Sequence, residues 1–297
     1  MTFRLGLIIN PTSGRGKGVA RGELVLQTLD ARGQSYLNLS GASMAEANAN
    51  ARHAINDGLI DGLVVVGGDG IAHLGVNLAC DTGISLGIIA AGTGNDLARS
   101  LGLPEGDVVA GTEAVLARLA NPRRVDAIKA HSSTGQFWFF GTASAGFDAL
   151  CNQRANQMTW PKGPRRYDIA MVLELAKFKP IHYEATIDGE HRSFDAMLCA
   201  VANGPAFGGG MLIAPDAKFD DGHLDLFIVH AMSRLELLKV FPKVYTAGHV
   251  SHPAVEFVRA KSVKLSSGNM PVYSDGESRG HSPLTATVMP GALSVFA

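Results

Sequence analysis

Val64-Val65-Val66-Gly67-Gly68-Asp69-Gly70 ends a β-branched run on a glycine turn. The run Gly62–Val66 has the length and content of a buried strand. Paired glycines let the backbone turn its N–H groups toward a ligand, and the helix starting near Ile71 aims its N-terminus at the same space. Strand, glycine turn and helix in that order belong to a parallel sheet, whose ligands sit beyond the carboxyl ends of the strands. Asp69 is not suited to phosphate itself but suits a phosphate-bound Mg²⁺ or its water. A tight turn capped by Asp69 is the plain alternative.

The pattern repeats on either side of this turn. Strands are expected at Leu5–Asn10, Tyr36–Leu39, Gly62–Val66 and Ser85–Ala90, and helices over Val19–Arg32, Met44–Asn56, Ala72–Cys80 and Val108–Leu119. Unbroken apolar strands alternating with helices predict a parallel sheet covered by helices on both faces. After Asn121-Pro122 the texture changes. Strand-like runs appear at Val125–His131, Phe137–Ala143, Tyr183–Ile187, Ala196–Asn203, Leu224–His230, Val263–Leu265 and Thr285–Met289, separated by turns such as Asp188-Gly189. Helical segments near Tyr167–Phe178 and Leu235–Gly248 interrupt them. The expected fold is an α/β domain over 1–124, completed by 290–297 if the chain returns, plus a mainly antiparallel β-sandwich over 125–289.

Of the 297 residues, 46% are hydrophobic and 18% charged, which allows two cores and argues against disorder. A net charge of -1 argues against a nucleic-acid binder held by counterion release. Cys80, Cys151 and Cys199 lie in or beside apolar runs and read as buried thiols of a reducing compartment. The histidines show no zinc-ligand spacing. The apolar start Phe3–Asn10 is too short for a secretory signal, and no stretch approaches the roughly 18 apolar residues of a spanning helix. The expected location is the cytoplasm, with membrane contact peripheral and transient.

Two further glycine-rich loops follow strands of the first domain. Asn10-Pro11-Thr12-Ser13-Gly14-Arg15-Gly16-Lys17-Gly18 lets the backbone approach a phosphate that Arg15 or Lys17 could neutralise. It lacks the Walker A spacing, and a plain strand-to-helix connection fits it equally well. Ala91-Gly92-Thr93-Gly94-Asn95-Asp96 offers Thr93 as a donor and Asn95 or Asp96 as helix caps. Three such loops on neighbouring strand ends point to one phosphate site. In the second domain, Asp220-Asp221-Gly222-His223 suits a divalent cation completed by backbone carbonyls, or simply an Asp-Gly turn. Tyr273-Ser274-Asp275-Gly276-Glu277 places two carboxylates around a glycine, where one could accept a proton from a hydroxyl substrate.

Asn10-Pro11-x-Ser13-Gly14, Gly67-Gly68-Asp69-Gly70, Gly92-Thr93-Gly94-Asn95-Asp96-Leu97-Ala98-Arg99, Asn203-Gly204 with Phe207-Gly208-Gly209-Gly210, Asp221-Gly222 and Asp275-Gly276-Glu277, in that order, resemble the bacterial diacylglycerol kinase and lipid kinase family. Its catalytic domain also occurs in sphingosine and ceramide kinases. The resemblance covers nearly the whole chain and implies an ATP- and Mg²⁺-dependent kinase that phosphorylates a lipid hydroxyl, diacylglycerol first, at the membrane surface. Oligomeric state is open, with a homodimer one option. The resemblance implies that Asn10, Ser13, Lys17, Ser40, the run Gly67, Gly68, Asp69, Gly70, Ile71, Ala72, His73, and then Gly92, Thr93 and Asn95 line the ATP site. Asp69 would act through Mg²⁺. Glu277 would accept the proton, with Asp275 the second choice. A structural Mg²⁺ would sit on the Asp221 carboxylate and the carbonyls of Lys218 and His223. Ile71 stands where the family usually has Thr, which removes a hydroxyl from the phosphate site. An NAD kinase, which shares the Gly-Gly-Asp-Gly turn, and a non-catalytic nucleotide binder are the alternatives. The Gly92–Arg99 run and Asp275-Gly276-Glu277 favour the lipid kinase.

The segment Ser233–His249 carries apolar Leu237, Val240, Phe241 and Val244 and basic Arg234, Lys239 and Lys243, with a kink at Pro242. It reads either as a contact with anionic lipid or as a helix packed on the sandwich.

Overall fold

The computed structural model describes residues 3–160 and 165–297. The chain forms two units, Met1–Ala127 with Pro290–Ala297, and Ile128–Met289. In the first unit β1 (Arg4–Ile9) is followed by a one-turn α1 (Ser13–Gly16), α2 (Gly18–Ala31), β2 (Ser35–Asn38), α3 (Met44–Asn56), β3 (Gly62–Gly67), α4 (Asp69–Thr82), β4 (Ser85–Ala90), a short α5 (Asp96–Ser100) and α6 (Val108–Arg118). The strands lie in the order β4-β3-β1-β2, all parallel. Every residue of β3 is buried, as a valine run must be when both faces of its sheet are covered. On one face Leu5, Leu7, Val64 and Val66 pack with Val25 and Leu29 of α2 and with Val108 and Val115 of α6. On the other, α4 comes so close that a Cβ on Gly75 would lie 2.8 Å from Leu86 Cδ1.

The second unit holds β5 (Arg123–Ser132), which enters it from the first, β6 (Gly135–Phe139), β7 (Thr142–Ser144), α7 (Phe147–Gln157), α8 (Arg165–Lys177), β8 (Ile181–Ile187), β9 (Glu190–Ala202) and β10 (Leu224–His230). Then come α9 (Arg234–Val240), a 3₁₀ turn (Phe241–Thr246), β11 (Val255–Ala260), β12 (Ser262–Ser266), β13 (Pro271–Ser274), β14 (Glu277–His281) and β15 (Leu284–Val295). Pairing is antiparallel through β11-β10-β9-β8-β12-β15, with β7, β13 and β14 branching from β9. Tyr183, Val201, Leu226, Val263 and Leu284 belong to the core on one side of these strands. On the other side Met197, Phe227 and Val229 are covered by Phe147 and Cys151 of α7, Leu175 of α8 and Leu237 of α9. At its end β15 leaves this unit, and Val295 pairs in parallel with Leu86 of β4.

Several elements depart from the sequence expectation. The run Phe137–Ala143 breaks into β6 and β7 because the N–H groups of Phe140 and Gly141 turn away to the Asp275 carboxylate. The helix over Leu235–Gly248 gives way to a 3₁₀ turn at Phe241, where Pro242 supplies no N–H. Helix α7 and strands β11, β13 and β14 are additions. Cys151 and Cys199 are buried, whereas Cys80 is only half-buried; burial still pushes its thiol up to about 12.

Candidate active site

The strand-end loops of the first unit are tied into one body by their own backbones. Asn10 N–H, just past β1, donates to Val66 O at 3.0 Å, and Ala91 N–H donates to Gly67 O at 2.8 Å. Asp69 N–H donates to Gly94 O at 3.2 Å, while the Asp69 carboxylate accepts Leu97 N–H at 3.3 Å and so caps α5. Glycine is required where two loops touch. A Cβ on Gly92 would sit 2.3 Å from Gly68 Cα, and one on Gly68 would sit 2.8 Å from Gly94 O. Arg21 of α2 completes the body by donating to Ala91 O at 2.5 Å. Nothing in the local sequence singles Arg21 out.

The residues expected at a nucleotide fall into two groups. Ser13 is buried, and its hydroxyl has no hydrogen-bond partner among the described residues, which suits it to an incoming phosphate oxygen. The first N–H groups of α4, at Gly70 and Ile71, have no carbonyl four residues back inside the helix and face outward from its start. Thr93 and Lys17 are exposed beside these loops. The other residues brace the site. Asn95 closes its own loop, accepting Gly92 N–H at 3.0 Å, and Asn10 Oδ1 accepts from both the N–H and the hydroxyl of Thr12. Ser40 Oγ accepts Ile9 N–H at 2.9 Å. Ile71, Ala72 and His73 point their side chains into the core, so this stretch can offer a ligand backbone only. The Arg15 side chain lies outside the described residues.

In the second unit Ser274 and Glu277 flank a two-residue hairpin turn, Asp275-Gly276, between β13 and β14. Asp275 and Gly276 have φ of 47° and 83°, the double left-handed turn that Asp-Gly favours. The Asp275 carboxylate accepts N–H groups from Phe140, Gly141 and Thr142 at 3.2, 3.1 and 2.9 Å. It therefore fastens the hairpin to the break between β6 and β7. Glu277 is exposed at the start of β14.

The cation set of Lys218, Asp221 and His223 does not take the form the resemblance implies. Arg259 Nη2 lies 2.6 Å from Asp221 Oδ2, and His223 N–H donates to Asp221 Oδ1 at 3.0 Å. Both carboxylate oxygens are engaged and the negative charge is already paired, so a Mg²⁺ here would have to displace the guanidinium. Arg259 thus takes the place at the Asp221 carboxylate that the expected ion would occupy. Chelation by EDTA is accordingly expected to leave the melting temperature of the nucleotide-free protein unchanged, while Arg259→Gln lowers it by about 1–3 °C, the scale of a partly exposed ion pair. A drop on chelation of the wild type would contradict this.

The second unit also contains a narrow apolar cleft, with a cavity volume of about 60 Å³, lined by Phe147, Met197, Phe227, Leu237, Phe241 and Val244 among others. That is well below the roughly 300–1,000 Å³ of small-molecule sites, so its apolar lining rather than its size bears on a ligand. Two titratable groups stand on its wall. His249 is buried, its Nε2 bonds Ile213 O at 3.2 Å, and burial lowers its basicity. Asp148, in the first turn of α7, accepts the Ser144 hydroxyl on Oδ2, while Oδ1 is buried with no partner among the described residues. Burial pushes its carboxyl up to about 6. Asp148 escapes sequence reading because Phe147-Asp148-Ala149 looks like an ordinary helix start with an acid in its first turn.

Glycine loops bound together at the ends of parallel strands, without the Walker A spacing and followed by a β-sandwich unit, define an α/β fold with a candidate phosphate site. The diacylglycerol kinase catalytic domain matches residues 4–130, and the YegS C-terminal NAD kinase beta sandwich-like domain matches 141–297. The chain is 35% identical over 291 residues to a diacylglycerol kinase of Mycobacterium tuberculosis, covering 97% of this chain and 93% of the relative. It is 33% identical to a Chromohalobacter salexigens protein named "Probable lipid kinase YegS-like", covering 83% of this chain and 79% of that one. A crystal structure of a diacylglycerol kinase from Bacillus anthracis shares the fold, with a TM-score of 0.74 at 21% identity over 99% of this chain and 96% of that one. The chain belongs to the diacylglycerol kinase-like family of lipid kinases. No described helix is long and apolar enough to cross a membrane.

Proposed function

We propose that the protein transfers the γ-phosphoryl group of ATP to the free hydroxyl of a diacylglycerol, giving phosphatidic acid. The observation that carries the lipid half of this reading is the chain's membership of the lipid kinase family; the narrow apolar cleft, with the buried Asp148 carboxyl on its wall, has a suitable lining and would widen to take an acyl chain. Apolar side chains suit an acyl chain, and the two polar groups on the wall, Asp148 and His249, suit the hydroxyl-bearing end of the lipid. The nucleotide half rests on the bound glycine loops and the unpartnered Ser13 hydroxyl.

ATP supplies the phosphoryl group, and a Mg²⁺ bound with it would neutralise charge on its phosphates. Asp69 is the carboxylate of the loop body suited to that ion. Ser13 and the first N–H groups of α4 hold phosphate oxygens. Glu277 accepts the proton of the lipid hydroxyl as the phosphoryl group is transferred. Asp275, committed to three backbone N–H groups, positions the hairpin that carries Glu277.

The test is γ-labelled ATP offered with dioleoylglycerol, monooleoylglycerol, a sphingoid base, phosphatidylglycerol and NAD in separate reactions. Label is expected in phosphatidic acid. Label in another lipid would move the substrate assignment, and label only in NAD, or in nothing despite ATP binding, would overturn the proposal.

A further inference from the structure

The segment from Ser233 to His249 is a wall with apolar residues on both of its sides. Leu237, Val240, Phe241, Val244 and His249 face inward and line the cleft. Their outward neighbours are not polar throughout. Leu235 is 72% exposed, Leu238 46% and Tyr245 51%. Leu235, Leu238 and Lys239 are spaced three and four residues apart and so share one face of α9. Lys239 and Lys243 are exposed along the same segment, and the acid among them, Glu236, is 3.3 Å from His252. The start of the wall is fastened by Arg234 Nε donating to Phe178 O at 2.9 Å, just beyond α8, which itself exposes Val172 and Leu173.

Single exposed leucines are ordinary on a protein surface. Here they stand with lysines and a tyrosine on the back of the element that encloses an apolar cleft. Exposed leucine beside lysine is the chemistry of a helix lying in the headgroup region of an anionic membrane, leucines toward the acyl chains and lysines toward the phosphates. Tyrosine suits the same boundary, with an apolar ring and a polar tip.

We infer that the outer face of α9 and its 3₁₀ turn, built on Leu235, Leu238 and Tyr245 with Lys239 and Lys243, is the surface that docks on an anionic bilayer. It sets the wall of the cleft against the membrane. The inference rests on the proposed lipid substrate for its purpose, but its test does not depend on turnover.

The full-length protein is sedimented with vesicles of phosphatidylcholine alone or with added phosphatidylglycerol, without nucleotide. Binding is expected to the anionic vesicles. Leu235→Ser with Leu238→Ser is expected to weaken it by about tenfold or more. Lys239→Gln and Lys243→Gln are each expected to weaken it by about fivefold, on anionic vesicles only. Since these side chains point outward, melting temperatures are expected to stay level. Phosphorylation of dispersed dioctanoylglycerol, which needs no vesicle, is expected to be unchanged in the leucine variant. Vesicle binding that is absent, or equal in wild type and leucine variant, would overturn the inference. A wild-type dimer that this variant converts to monomer would also overturn it, by giving the face to a second copy of the chain. Failure to phosphorylate dioctanoylglycerol in the wild type would count against the proposed function and leave the vesicle result standing.

Discussion

Glu277→Gln is expected to lower phosphoryl transfer by about 100-fold or more, with nucleotide affinity and melting temperature close to those of the wild type. Glutamine keeps the shape of the side chain and removes its capacity to take a proton. The residue is exposed at the head of β14, so the exchange disturbs no packing. The phosphate-facing loops all belong to the other unit, which is why binding and turnover should separate. Asp275→Ala is the control. It should lower stability, because three N–H groups between β6 and β7 lose their acceptor. Near-normal turnover by the glutamine variant would remove Glu277 from the chemistry.

Asp148→Asn is expected to make the protein more stable and less active. Burial pushes this carboxyl up to about 6, so the folded chain holds its proton more tightly than the unfolded chain. Below about pH 4 both states are protonated and nothing is lost. Between about pH 4 and 6 the unfolded state ionises first and stability falls as pH rises, a loss complete above that range. Holding the carboxyl at about 6 rather than at its ordinary value amounts to about 3 kcal/mol, and the asparagine variant should recover up to that much at pH 8 and almost none at pH 4. Urea unfolding across that range measures it. If Asp148 also meets the lipid, turnover should fall by about tenfold or more, the scale of a lost hydrogen bond to a charged group. A stability difference that ignores pH would contradict the ionisation argument, and a stabler variant with full activity would make Asp148 purely structural.

The first unit is largely legible in its sequence, because a parallel strand buried on both faces is written as an unbroken apolar run. Met44–Asn56, Ser85–Ala90 and, in the second unit, Leu224–His230 agree with their expected bounds to the residue. The glycine loops are legible for a similar reason, since nothing larger fits between Gly68 and Gly92. What escapes is long-range. Arg21 meets a carbonyl 70 residues away, and the Asp221 turn shows a carboxylate but not the Arg259 that neutralises it 38 residues on. Strands β13 and β14 are short, and β14 is largely polar, so alternation has little to work with. Around α9 the period fails for another reason. The apolar set Leu237, Val240 and Val244 does turn inward, but the equally apolar Leu235 and Leu238 remain exposed, which the sequence reading does not single out.

The return of the chain to β4 bears on biosynthesis. Phe296 is buried in the core of the first unit, where a Cβ on Gly62 would lie 2.9 Å from its ring, and Val295 pairs with Leu86. The ribosome makes Leu86 early and Phe296 only after Ile128–Met289 has been added. At about 5–20 residues per second, the intervening stretch takes roughly 10–30 s. Through that interval the nascent first unit has a bare β4 edge and a vacancy where Phe296 will sit, which makes it a natural client for chaperones until the last strand arrives.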